Sequence, residues 1–343
     1  MHFLIIKHGA LGDVVRTSYF AASLKEKHGP ALRLSWLTAP ASERLLGLNP
    51  NVDDVWVSFE TCQPFAFDRV FSLDDEIEIV TAASRLNAAR ITGAYLADNG
   101  TPAYTPDSAE WFDMGLISQF GKARADSLKR TNHRSHAEIF SRIFEVEKVQ
   151  PSFYGEPVHE EWADAWCRKD SFNIGINAFA GGRWPSKQLI ESELIGLIRG
   201  LLKRGCLANR KLQITLTGAG NDFLQNERIV KQIDDARIRA ADTRDSVMRL
   251  AALIGKLDYF ISSDSLAMHL AIAQRVPFLA FFSPTSAVEI DGFGFGAKVA
   301  SLAPDYCSYL PDTDNRTITA ARLLAAFEHH AAQVPPLHGQ GGS

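Results

Sequence analysis

Hydrophobic and polar positions follow two rhythms along this chain. Short apolar runs alternate with stretches whose apolar residues recur at helical spacing. The first run, Phe3-Leu4-Ile5-Ile6, is apolar on consecutive positions. It predicts a strand buried on both faces, as in a parallel sheet. Val14, Val15 and the apolar positions up to Leu24 supply the buried stripe of a helix behind it. Strands are also predicted at 32–37, 55–58, 69–73 and 89–92, with helices at 41–46, 75–87 and 136–145. Residues 150–170, with Pro151, Pro157 and many polar side chains, read as a link. A second alternation follows. Its strands are predicted at 172–177, 212–216, 237–240, 259–262 and 278–282. Its helices are predicted at 190–203, 222–234, 246–254 and from a cap at Asp264 to Ala273.

This order implies parallel sheets covered by helices on both sides. The expected fold class is α/β, with two Rossmann-like parallel-sheet domains facing a central cleft. Residues 1–155 form the first domain and 171–316 the second. A helix at 317–334 is expected to pack back on the first.

Composition narrows the function classes. The 343 residues are 46% hydrophobic and 22% charged, an ordinary soluble balance whose length fits two domains. A net charge of −4 argues against a dedicated nucleic-acid binder. Cys62, Cys167, Cys206 and Cys307 form no C-x-x-C pair, so neither a zinc site nor a disulfide framework is expected, and a reducing cytoplasm fits. The first apolar run is too short for a signal peptide, and no stretch reaches the ~20 apolar residues of a membrane helix. The Gly-rich tail from His338 to Ser343 reads as disordered.

Candidate chemistry gathers at strand-to-helix junctions, where open α/β folds bind ligands. Asp13, after Gly9 and Gly12, reads either as a helix N-cap or as a general base. Gly181, Gly182, Arg183 and Lys187 bring free amides and positive charge to a helix start, which suits a phosphate or diphosphate. Asp264, Ser265 and His269 form a third group. Ser265 and His269 share a helix face, but Asp264 also reads as a cap and His269 as a core histidine. Asp312-Thr313-Asp314 is taken as a loop and cap rather than a metal site. No P-loop, G-x-S-x-G or H-E-x-x-H is present. Between Asn99 and Arg134, the basic run Lys122, Arg124, Lys129, Arg130 and Arg134 is either a solvated helix face or a pocket for an anionic substrate.

Three blocks together resemble the family 9 glycosyltransferases, the heptosyltransferases of lipopolysaccharide inner-core assembly. They are Ile5 to Thr17 with Gly12-Asp13, Ala180 to Lys187 with Gly-Gly-Arg-Trp-Pro, and Ser263 to Leu270 with Phe282-Ser283-Pro284-Thr285 beyond it. Leu266 and Ser283 stand where many relatives carry Gly. The resemblance implies a GT-B fold and inverting, metal-independent transfer of a sugar, heptose from ADP-heptose, onto a lipopolysaccharide-type glycan. It implies no cofactor beyond the nucleotide-sugar donor. Asp13 is then the base. Gly181, Gly182, Arg183, Lys187, Asp264, Ser265 and His269 hold the donor, and Gly12, Arg130 and Arg134 the acceptor. Partners would be the donor and an anionic glycan or glycolipid, with no nucleic acid. The expected location is the cytoplasm, with peripheral contact at the inner membrane. Two alternatives share this build: a sugar-nucleotide epimerase, and a non-catalytic nucleotide-sugar-binding subunit.

Overall fold

The computed structural model describes residues 1–147, 150–180, 184–204, 206–207, 210–218, 220 and 222–334. They form two compact units. The first comprises Met1–Tyr154 with Val288–Asp291, and the second holds Gly155–Ala287 and the chain from Gly292 onward.

The strands of the first unit are β1 (His2–Ile6), β2 (Arg33–Leu37), β3 (Asp54–Trp56), β4 (Ala66–Phe67), β5 (Arg69–Ser72), β6 (Asn87–Ala88), β7 (Ile91–Leu96) and β8 (Pro102–Tyr104). Among the described residues its main sheet runs β3-β2-β1-β5-β7-β8. All pairs are parallel except the edge pair β7–β8, and β4 pairs separately with β6. The unbroken apolar run of β1 serves two cores. Phe3 and Ile5 pack with Val14, Phe20, Phe140 and Phe144. Leu4 and Ile6 pack on the other side with Leu37, Phe67 and Val70. Successive side chains of a strand point to opposite faces, so a strand covered on both sides loses its polar alternation.

Several predicted elements shift. The helix expected over 75–87 spans Ile77–Ala83. Its start is delayed because the preceding acids are engaged elsewhere: Asp74 pairs with Lys7, and Asp75 accepts the Leu116 N–H at 2.8 Å. The strand expected at 89–92 runs Ile91–Leu96. The 99–134 segment contains β8, a short helix Ala109–Phe112 and a helix Lys122–Thr131. The helix His136–Ile143 starts at a capping box between Ser135 and Glu138. There the segment 288–291 joins the first unit, with His136 N–H donating to Glu289 O at 2.8 Å.

In the second unit the strands are β9 (Ser171–Asn177), β10 (Cys206–Leu207), β11 (Arg210–Leu216), β12 (Ile238–Ala240), β13 (Tyr259–Ser263), β14 (Phe278–Phe282) and β15 (Gly296–Ala300). β12 pairs with β11, and the parallel order continues β11-β9-β13-β14-β15. β10 forms a short antiparallel ladder at the start of β11. This is the doubly wound order of dinucleotide-binding folds. Strand order reverses between β9 and β13, and ligands bind at the carboxyl ends of strands at such a switch point. The link predicted over 150–170 contains a helix, Pro157–Trp166.

The second unit also holds the C-terminal helix. It spans Ala320–Ala331 and joins the core of the second unit, where Leu323 and Phe327 are fully buried. Gly196 and Gly200 on the helix Glu191–Leu202 let it come close. A Cβ on Gly200 would lie 2.3 Å from Leu324 Cδ1. Its inner end is fixed by the buried contact of Tyr259 Oη with His330 Nδ1 at 2.7 Å.

Candidate active site

At the switch point of the second unit, β13 ends in Ser262-Ser263 and a helix begins at Leu266. The N-cap is Ser265 rather than Asp264, which leaves the Asp264 carboxylate outside the helix. It takes two strong bonds there. Lys187 Nζ lies 2.7 Å from Asp264 Oδ2, and Thr285 Oγ1 donates to the same oxygen at 2.6 Å. The Lys187 and Asp264 side chains are only 16% and 12% exposed. Burial alone would raise the Asp264 carboxyl. The Lys187 ammonium, His269 and the hydrogen bonds from Lys187 and Thr285 outweigh it and hold the carboxyl at about 2.

Lys187 is carried by a turn, Pro185–Lys187, stitched to a second loop by Ser186 N–H donating to Pro311 O at 3.3 Å. Its ammonium lies 5.9 Å from the centre of the Trp184 ring. From the end of β9, Asn177 Nδ2 donates to Ser265 Oγ at 3.0 Å and to Phe179 O at 2.9 Å. Ser263 Oγ donates to Phe179 O at 3.0 Å. His269 is buried one turn into the helix. The structure thus brings Lys187, Asp264, Ser265 and His269 to one strand edge. Gly181, Gly182 and Arg183 lie outside the described residues, as does the tail 338–343. The partners Asn177 and Thr285 were not among the expected site residues. The only local signal was the Pro284-Thr285 pair after β14.

The first unit has its own switch point, between β1 and β5. Here Asp13 is not the N-cap. The helix spans Leu11–Ser18 with Ala10 as cap, so Asp13 falls at the third helical position. Its carboxylate reaches back to accept the Ala10 N–H at 3.2 Å and pairs with Arg16 at 2.7 Å. The Asp13 side chain is 32% exposed. Beside it Lys7 and Asp74 pair at 2.6 Å, both buried. Burial pulls the Lys7 ammonium down, but Asp74 and Asp13 more than compensate and raise it above its ordinary value. His8 N–H donates to Asp74 Oδ2 at 2.6 Å. Among the described residues, His8 Nε2 and Ser72 Oγ are buried polar atoms without a partner. Gly12 is buried.

The basic run is partly neutralised. Arg134 pairs with Glu110, which also binds Arg142 at 2.9 Å, and Lys122 pairs with Asp126 at 2.5 Å. Arg130 is exposed on its helix. Asp314 bonds Arg316 at 2.7 Å, consistent with a loop at 312–314. Among the described residues no group of three or more His, Cys, Asp or Glu could hold a metal ion. No helix among them is long and apolar enough to cross a membrane.

Comparison with known proteins bears on this geometry. Residues 204–311 match the model of glycosyltransferase family 9 (heptosyltransferase). Over those residues the chain is similar to the glycosyltransferases of that family. The family match includes the 263–270 and 282–285 blocks and excludes the blocks around Asp13 and Lys187. No curated protein matches the chain by sequence. Solved structures share its GT-B fold at low identity. The glycosyl transferase family 9 structure from Veillonella parvula is 16% identical, covering 97% of this chain and 98% of its own, with a TM-score of 0.72. E. coli ADP-heptose lipopolysaccharide heptosyltransferase II is 15% identical over 97% and 99% of the two chains, with a TM-score of 0.66. The E. coli heptosyltransferase WaaC, solved with ADP-2-deoxy-2-fluoro heptose, is 15% identical over 96% and 99%, with a TM-score of 0.63.

Proposed function

We propose that this chain is a family 9 glycosyltransferase that transfers heptose from ADP-heptose, with inversion, to a hydroxyl of a lipopolysaccharide-type glycan at the cytoplasmic face of the inner membrane. The observation that carries the reading is the buried Lys187–Asp264–Thr285 cluster at the second unit's switch point. Solved relatives whose names include ADP-heptose or an ADP-sugar analogue support the donor.

In this reading Asp264 positions rather than reacts. It fixes the Lys187 ammonium, whose remaining N–H groups meet the diphosphate. The Ser265 helix start adds backbone amides, and Gly181, Gly182 and Arg183 complete the donor loop. His269 lines the sugar side. In the displacement, the acceptor oxygen forms a bond to the anomeric carbon as the bond from that carbon to the diphosphate oxygen breaks. The acceptor proton passes to Asp13, and the electron pair leaves with ADP. Lys187 stabilises the charge that develops on the leaving group, so neither a metal nor a cofactor has a step to perform. Gly12 lets the acceptor approach Asp13, and Arg130 and Arg134 meet its anionic groups.

Asp13→Asn tests the mechanism. Asn at the third helical position still accepts the Ala10 N–H, and what is lost for stability is the part-exposed Arg16 pair, about 1 kcal/mol or less. Loss of a general base lowers rate by about 10²–10⁴. The expected result is that kcat falls in that range while ADP affinity by calorimetry is kept. A folded variant turning over at the wild-type rate removes Asp13 as base. Conversion of ADP-heptose without any acceptor overturns the transferase reading in favour of an epimerase.

A further inference from the structure

Residues 113–121 of the first unit connect the helices Ala109–Phe112 and Lys122–Thr131. Two large apolar side chains on this connection face solvent: Leu116 is 82% exposed and Phe120 54%. The loop that displays them is well bonded. Leu116 N–H donates to Asp75 Oδ2 at 2.8 Å, Gln119 N–H to Tyr104 Oη at 3.1 Å, and Gly121 N–H to Ser118 O at 3.0 Å. Their exposure is therefore a built feature of the surface, since each is anchored through its own or a neighbouring amide.

The helix that follows carries Lys122, Arg124, Lys129 and Arg130 against one acid, Asp126. Arg124 and Arg130 are exposed. This concentration of positive charge stands out on a chain whose net charge is −4. Apolar side chains beside a basic turn are complementary to an anionic bilayer. The apolar groups enter the boundary between headgroups and acyl chains, and the cations meet lipid phosphates. We propose that Leu116, Phe120, Lys122 and Arg124 form a docking edge by which the first unit binds the surface of an anionic phospholipid membrane. The purpose of such docking rests on the glycolipid acceptor proposed above, but lipid binding itself needs neither donor nor acceptor.

The test is co-sedimentation of the full chain with vesicles of phosphatidylcholine alone and with added phosphatidylglycerol. Binding is expected only to the phosphatidylglycerol vesicles, falling as salt is raised. Each basic residue near an anionic surface contributes roughly fivefold in affinity. Lys122→Glu with Arg124→Glu is therefore expected to weaken binding by about 25-fold or more. Both sit in the first turn of their helix, where acids are favoured, which offsets the loss of the exposed Lys122–Asp126 pair. Leu116→Ser with Phe120→Ser is expected to weaken binding at least tenfold with an unchanged melting temperature. Equal binding by wild type and both variants overturns the proposal. So does no binding combined with a concentration-dependent dimer that Leu116→Ser and Phe120→Ser abolish, which would make the patch a protein interface. ADP affinity, measured on the same samples, reports on the donor reading separately.

Discussion

Lys187 and Asp264 form a pair whose strength depends on pH. The folded Asp264 carboxyl, at about 2, lies below its ordinary value of 3.8. A depressed carboxyl adds stability above its unfolded pKa and loses it as pH falls through the folded one. That contribution is roughly 2 kcal/mol at neutral pH and vanishes between about pH 4 and pH 2. Lys187→Met removes the ammonium and leaves only His269 and the Thr285 hydrogen bond to oppose burial. Urea unfolding is expected to show a gap of about 2 kcal/mol between wild type and variant at neutral pH, closing on acidification. A gap that does not change with pH would mean that the pair contributes through packing and not through charge. The sequence singled out both residues, but it assigned Asp264 a cap it does not form. The cap reading of Asp13 fails in the same way. Both acids lie within three residues of the true caps, Ser265 and Ala10, and a stretch such as Ala10-Leu11-Gly12-Asp13 does not reveal where the first helical turn closes. Asn177 and Thr285 were illegible for a different reason. Their partners are 88 and 21 residues away, and only the adjacency of β9, β13 and β14 brings them together.

β1, β14 and the apolar start of β13 were legible because burial on both faces leaves a mark in the sequence that short range suffices to read, and β9 by the alternation of Phe172, Ile174 and Ile176 with Asn173, Gly175 and Asn177. β15 escaped notice. Gly296 to Ala300 is half-exposed at the sheet edge and needs little hydrophobicity. The C-terminal helix shows a further limit. Its amphipathic pattern predicted a helix correctly, but the surface it covers is specified elsewhere, by Gly196 and Gly200 four residues apart on the helix Glu191–Leu202. Phe327 is fully buried in that contact and forms an edge-to-face pair with Tyr259 at 4.9 Å between ring centres. Phe327→Ala is expected to cost about 3–5 kcal/mol, read as a lower denaturation midpoint of the second unit. A loss below about 1 kcal/mol would mean that the helix is an appendage rather than part of the core.

Each unit places a Lys–Asp pair at its own switch point. Lys7 follows β1 and Asp74 follows β5; Lys187 follows β9 and Asp264 follows β13. The two pairs differ in what surrounds them. Asp74 is only 1% exposed and also accepts the His8 N–H, so it completes the end of β1 and leaves little for a ligand. Asp264 sits beside a helix start and a second hydroxyl, the environment of a binding group. The two units have separate cores, so the pairs are expected to support them separately. Removing one partner of a buried pair leaves an uncompensated charge, at about 3–5 kcal/mol. Asp74→Ala strands the Lys7 ammonium and the His8 amide in the first unit alone. Calorimetry of this variant is expected to resolve two transitions. The earlier one belongs to the first unit, and the later one is raised by ADP because a ligand stabilises only the folded state that binds it. Retained ADP affinity would accompany that split. A single transition displaced as a whole, still raised by ADP, would show instead that the two units unfold as one cooperative body and that Asp74 supports both.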